Sequence, residues 1–200
     1  MNKLSGAFVS LVLVVATTAQ GAQTIVFDES AALECYQAAL HGKGSSFDIE
    51  PCNMALEHQA LSVLDRAATY SNRGLLYARM GDVQEAIRDH DRAVRLAPDV
   101  GSVFVNRSNA LVRLKRYSHA MNDLERAIEL ADISLAYAYY NRALLFNRLG
   151  DSQAARLDAE RAAEIEPDSQ NYRRYLRMLQ LEEEVATGIL VTPIAAPPAE

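Results

Sequence analysis

Two hundred residues, half of them hydrophobic, are enough for one compact domain with a real core. The 26 acidic residues outnumber the 20 Lys and Arg, for a net charge of −6, and no basic stripe or run breaks this pattern. That balance argues against a nucleic-acid partner and leaves proteins or peptides as the natural ligands.

In chain order, residues 1–22 have the layout of a secretory signal peptide. Met1-Asn2-Lys3 carries one positive charge, Ala7–Ala16 is an almost unbroken apolar run, and small residues follow at Thr17, Thr18, Ala19, Gly21 and Ala22. Cleavage after Ala19, Gly21 or Ala22 is equally compatible. The apolar core is short for a bilayer-spanning helix, and an uncleaved anchor is the alternative. The expected destination is secreted or periplasmic, with no membrane span in the mature chain.

Export bears on the two cysteines, Cys35 and Cys52, which are the only ones in the chain. In an oxidising compartment such an isolated pair reads as a disulfide, with two buried free thiols as the alternative. A metal site is not expected. His41, His58, His90 and His119 are scattered without ligand spacing, and two Cys alone do not complete a ligand set.

Residues 28–66 read as an N-terminal helical hairpin. Asp28-Glu29-Ser30 offers caps for a helix over Ala31–His41, Gly42–Ser46 breaks it, and Pro51 fits the first turn of a second helix running to about Ala67. Beyond this the chain repeats itself. Asn72-Arg73-Gly74, Arg79-Met80-Gly81-Asp82 and Asp89-His90-Asp91-Arg92-Ala93 return as Asn106-Arg107-Ser108, Arg113-Leu114-Lys115-Arg116 and Asp123-Leu124-Glu125-Arg126-Ala127. They return again as Asn141-Arg142-Ala143, Arg148-Leu149-Gly150-Asp151 and Asp158-Ala159-Glu160-Arg161-Ala162. Such self-similarity is the mark of stacked helix pairs. The first helices are expected over Ala67–Met80, Gly101–Leu114 and Ala136–Leu149, and the second over Asp82–Leu96, Tyr117–Ala131 and Asp151–Ile165. Gly81 and Gly150 suit left-handed helix ends, Asp82 and Asp151 suit caps, and Pro98 and Pro167 stop the second helices. The middle unit departs, with Lys115 for the Gly, Asp132 where Pro would stand, and one extra residue, Leu135.

The unit resembles a tetratricopeptide repeat. Aromatics stand at its fourth position (Tyr70, Phe104, Tyr139), and small residues at its eighth (Gly74, Ser108, Ala143), twentieth (Ala86, Ala120, Ala155) and twenty-seventh (Ala93, Ala127, Ala162). The resemblance implies an all-α fold, a right-handed α-solenoid of helix-turn-helix repeats at 67–100, 101–134 and 136–169. A capping helix over 170–186 and a tail over 187–200 follow, the tail containing an apolar Ile189-Leu190-Val191.

No enzyme signal is present: no phosphate-binding Gly loop, no Gly-x-Ser-x-Gly turn and no paired His, so neither catalytic residues nor a cofactor is expected. Two recurrent sets remain. Arg73, Arg107 and Arg142 stand between helices where an apolar residue is usual, and Asp89, Asp123 and Asp158 lie on the partner helices. These predict the structural ion pairs Arg73–Asp89, Arg107–Asp123 and Arg142–Asp158. The resemblance also implies a concave face lined by first helices. It places Asn72, Asn106, Asn109 and Asn141 there with Arg79, Arg113 and Arg148, and adds Asn147 with Val105, Leu75, Leu144, Tyr137 and Tyr140. Asn can clamp an extended backbone and Arg a carboxylate, as in the peptide grooves of this family. The competing reading leaves the Arg residues satisfying helix C-termini and the Asn residues bonded to neighbouring repeats. The expected function is an exported adaptor for a protein or peptide. The alternative is an envelope assembly subunit working through its convex face, tail or self-association.

Overall fold

A computed structural model describes residues 31–187, and all regular structure among them is helical. The expected signal peptide and tail lie outside the described residues. The helices are α1 (31–41), α2 (Ser46–His58), α3 (Val63–Met80), α4 (Val83–Leu96), α5 (Gly101–Arg113), α6 (Tyr117–Leu130), α7 (Leu135–Leu149), α8 (Ser152–Ile165) and α9 (Gln170–Ala186). The chain divides at Ala97/Pro98 into two compact units, α1–α4 and α5–α9.

In unit 1 the second helix of the hairpin begins and ends earlier than expected. Ser45 and Asp48 form a capping box that starts α2 five residues before Pro51. Pro51 therefore sits inside the helix and forfeits one interior hydrogen bond. Ser62 then accepts from the Asp65 amide at 3.1 Å and starts α3 at Val63, so the first repeat takes its opening turn from residues assigned to the hairpin. Cys35 and Cys52 are joined by a disulfide, which packs with Ile49 against Leu76 of α3. Between α3 and α4, Gly74 leaves room for the fully buried His90 ring, since a Cβ there would stand 2.7 Å from its Cε1.

The repeat turns follow one plan. Gly81 and Gly150 adopt φ of 92° and 86°, and the next residue donates its amide back into the helix, Asp82 to Tyr77 and Asp151 to Phe146. Lys115 takes the same left-handed place with φ 58°, and Arg116 donates to Leu111. Asp151 caps α8 through the Ala154 amide at 2.9 Å, whereas Asp82 makes no side-chain cap on α4.

In unit 2 the extra residue of the middle repeat is absorbed in the turn from Ala131, which is left-handed at φ 49°, to Ser134. Asp132 organises this turn. It accepts from the Ser134 amide and hydroxyl, and its other oxygen accepts from the Gly101 amide at the start of α5. Burial works against its charge, but the Ser134 and Gly101 donors hold its carboxyl below the ordinary range. The core of this unit is alanine-lined. Ala143, Ala155 and Ala159 pack with Tyr175 and Leu179 of α9, and Ala136 and Ala162 pack with Tyr172.

Candidate functional site

Each repeat pins its two helices with one charged pair. Arg73 donates Nε to Asp89 Oδ2 at 2.7 Å and Nη2 to Oδ1 at 3.0 Å. Arg107 donates to Asp123 at 2.8 and 2.6 Å, and Arg142 to Asp158 at 2.7 and 3.0 Å, each again two-pronged. The Asp side chains are 2%, 7% and 8% exposed and the Arg side chains 13%, 23% and 21%, so both charges are largely withdrawn from water. Aromatic faces cover the guanidinium: Tyr70 and Tyr77 lie 5.6 and 5.9 Å from Arg73, and Tyr139 and Phe146 lie 5.6 and 5.7 Å from Arg142. For Arg142 the Asp158 bond outweighs burial and raises the pKa. For Arg73 burial is the largest single influence and lowers it, yet Asp89 and the neighbouring groups together raise it.

The Asn/Arg row behaves differently in the two units. In unit 1, Asn72 is half-buried, and Arg79 donates Nη1 to the Gly42 carbonyl at 3.0 Å, so the hairpin turn takes up the cation expected at the groove. In unit 2, Asn109, Asn141, Leu144, Asn147, Arg148 and Met178 line an open groove of about 660 Å³, with Val112 and Tyr175. Asn141 donates Nδ2 to the Tyr137 carbonyl of its own helix at 2.8 Å. Asn147 bonds the Tyr175 hydroxyl, whose pKa burial raises and this bond lowers, the net effect being upward. Asn106 is half-buried and Arg113 exposed; both are engaged by neighbours, and neither lines this groove. Val105 is fully buried and belongs to the core, not to an apolar groove patch. Tyr140 sits among Tyr172 and Tyr175 at centroid distances of 5.0 and 5.4 Å, part of the aromatic seam between α7 and α9.

The three-repeat register assigned neither Tyr175 nor Met178 to the groove. The signal was the repeat register carried one unit further, because they stand 34 residues after Asn141 and Leu144. The same step carries the buried Ala138, Asn141 and Leu145 of α7 onto the buried Tyr172, Tyr175 and Leu179 of α9. Thus α9 is the first helix of a fourth unit as well as a cap. Among the described residues, no cluster of His, Cys, Asp or Glu is arranged to hold a metal, and no helix is long and apolar enough to cross a membrane.

Paired helices in 34-residue register, closing on small residues and turning at left-handed glycines, define a helical-hairpin repeat protein. The chain belongs to the tetratricopeptide-repeat family: profiles of the tetratricopeptide repeat match residues 65–133 and 136–169. This repeat is a protein-interaction fold. The chain is 32% identical over 115 residues to serine/threonine-protein phosphatase 5 of Rattus norvegicus, a match covering 58% of this chain and 23% of that protein. It is 29% identical over 124 residues, 62% of this chain, to RNA polymerase II-associated protein 3 of Xenopus tropicalis, where the match spans 19% of the relative. Among solved structures, the first repeat domain of Spaghetti (RPAP3) bound to an HSP90 peptide SRMEEVD aligns at a TM-score of 0.55 and 27% identity, over 60% of this chain and 96% of that one. A crystal structure of MamA protein shares the fold at TM-score 0.57 and 17% identity, over 84% of this chain and 98% of that one.

Proposed function

We propose that this chain is an exported adaptor that holds an extended segment of a partner protein against the first helices of its second and third repeats and α9. The observation that carries the reading is the unit 2 groove, where the Asn109 amide and the Arg148 cation line an opening shared with Leu144, Val112 and Met178. Amides offer a donor and an acceptor to a peptide backbone, the guanidinium suits one carboxylate, and the apolar floor suits one or two apolar side chains. The peptide-bound repeat domain of Spaghetti (RPAP3) supports the ligand class, a short extended peptide. Export is supported by the apolar run Ala7–Ala16 and by the paired cysteines, which suit an oxidising compartment.

A peptide library selected on the full chain tests the groove. The Asn109→Ala/Arg148→Ala double variant should bind the selected peptide about tenfold more weakly or worse, because a charge-assisted and a neutral hydrogen bond are both lost. Equal affinity with an unchanged helical spectrum sinks the groove reading. The assembly reading has its own observation in unit 1. Leu33, Tyr36 and Leu40 on α1, with Phe47 and Met54 on α2, are 43–87% exposed and leave the hairpin with an apolar outer face. A concentration-dependent mass in sedimentation would favour that reading.

A further inference from the structure

One row of the repeat register crosses the groove of unit 2. Asn109, Leu144 and Met178 each stand ninth in their units, 35 and 34 residues apart, and all three line the same opening. Along this row the chemistry changes once, from an amide on α5 to apolar side chains on α7 and α9. Leu144 and Met178 are 38% and 39% exposed, so both offer apolar surface to a ligand. Other groove groups are already committed within the unit. Asn141 donates to the Tyr137 carbonyl, the Tyr175 hydroxyl donates to the Ala143 carbonyl at 3.4 Å, and Asn147 bonds Tyr175. Arg148 answers to charge, so discrimination by side-chain polarity falls to the row.

We infer that this row sorts the ligand by position, with a hydrogen-bonding side chain over α5 and a large apolar side chain seated against Leu144 and Met178. Met178 is then a specificity-determining residue, and the inference rests on the groove function proposed above. The spacing of the two seats follows from the helices. α5 packs directly on α7, and helices packed side by side stand about 8–10 Å apart. An extended chain advances about 3.3 Å per residue, so the two ligand side chains stand about three residues apart. A polar side chain against Leu144 and Met178 loses water without gaining a hydrogen bond, and an apolar one over Asn109 leaves the amide unpaired. The two seats thus penalise opposite errors, and a ligand with the order reversed is rejected at both. Met178 is unbranched and adapts to several apolar shapes, so its seat selects polarity more sharply than shape.

The experiment selects peptides from a random library on full-length chains: unaltered, Met178→Asn and Asn109→Leu. The unaltered chain should enrich a polar residue three positions from a Leu or Met. Met178→Asn gives α9 the amide that α5 carries, at an exposed position, and should lose the apolar preference while keeping the polar one. Asn109→Leu should lose the polar preference and keep the apolar one. A peptide of the unaltered chain's consensus should bind Met178→Asn about tenfold more weakly, and exchanging its polar and apolar residues should weaken binding to the unaltered chain by as much. A merely structural role would weaken every peptide alike. That uniform loss, or one consensus from all three chains, overturns the sorting and leaves the groove to be judged by Asn109→Ala/Arg148→Ala. Failure of the unaltered chain to enrich any peptide removes the groove function and the sorting with it.

Discussion

Asp89 accepts from three donors, Arg73 Nε, Arg73 Nη2 and Arg92 Nη1, while 2% of its side chain meets solvent. A carboxylate so withdrawn survives as a charge only with such partners, and the same logic holds at Asp123 and Asp158. Removing one member strands the other. Asp158→Ala should therefore lower unfolding stability by about 3–5 kcal/mol in denaturant titrations. The double change Arg142→Met/Asp158→Leu should recover most of that loss, since apolar residues of similar volume replace a buried pair at little cost. A second residue-scale test is Tyr172. Burial, and next the Glu166 carboxylate, push its hydroxyl up to about 12 from an ordinary 10. A raised pKa means that the folded state resists ionisation. This stabilisation is complete below pH 10 and is lost as pH rises from 10 through 12. Denaturation midpoints should fall across that window, and fall less in Tyr172→Phe.

At the scale of elements, the turns carry the departures from regularity. Lys115 holds a left-handed backbone that Gly81 and Gly150 adopt without steric cost. Lys115→Gly should thus gain about 1 kcal/mol of stability, read as a higher melting temperature. A loss would mean that the Lys side chain holds the turn by other contacts. Helix positions were legible in the sequence because small residues, glycines and prolines recur at fixed places, and each has one steric use in a close helix pair. The hairpin had no such repetition. Pro51 reads as a first-turn residue, yet the Ser45–Asp48 box outcompetes it, because satisfying the open amides of a helix start outweighs one lost interior bond. Asp132 was legible only as a substitution. Its work, tying the α5 start to the α6–α7 turn, joins residues 31 apart in the chain.

For the whole molecule, the site was less legible than the fold. A repeat register marks which residues share a face but not which are already spent on neighbours. Arg79 is taken by the Gly42 carbonyl, Asn141 by its own helix and Val105 by the core, and only packing decides such matters. The disulfide works at this scale too. It closes a loop of 17 positions and places both sulfurs against Leu76, so it fastens the hairpin to α3. Cys35→Ser/Cys52→Ser should cost about 3 kcal/mol. The loss should appear in hydrogen exchange as faster opening of α1, α2 and the second half of α3, around Leu76.

The Arg–Asp pairs also bear on how the chain reaches this state. Each joins residues 16 apart, so closing one hairpin needs only a short excursion of chain. Local closure of this kind gives low contact order and folding in microseconds to milliseconds. Because the same pair recurs in every unit, a helix that docks one turn out of step leaves an Arg and an Asp both unpaired. Burying both charges without partners is costly, so the pairs favour the observed register over a shifted one.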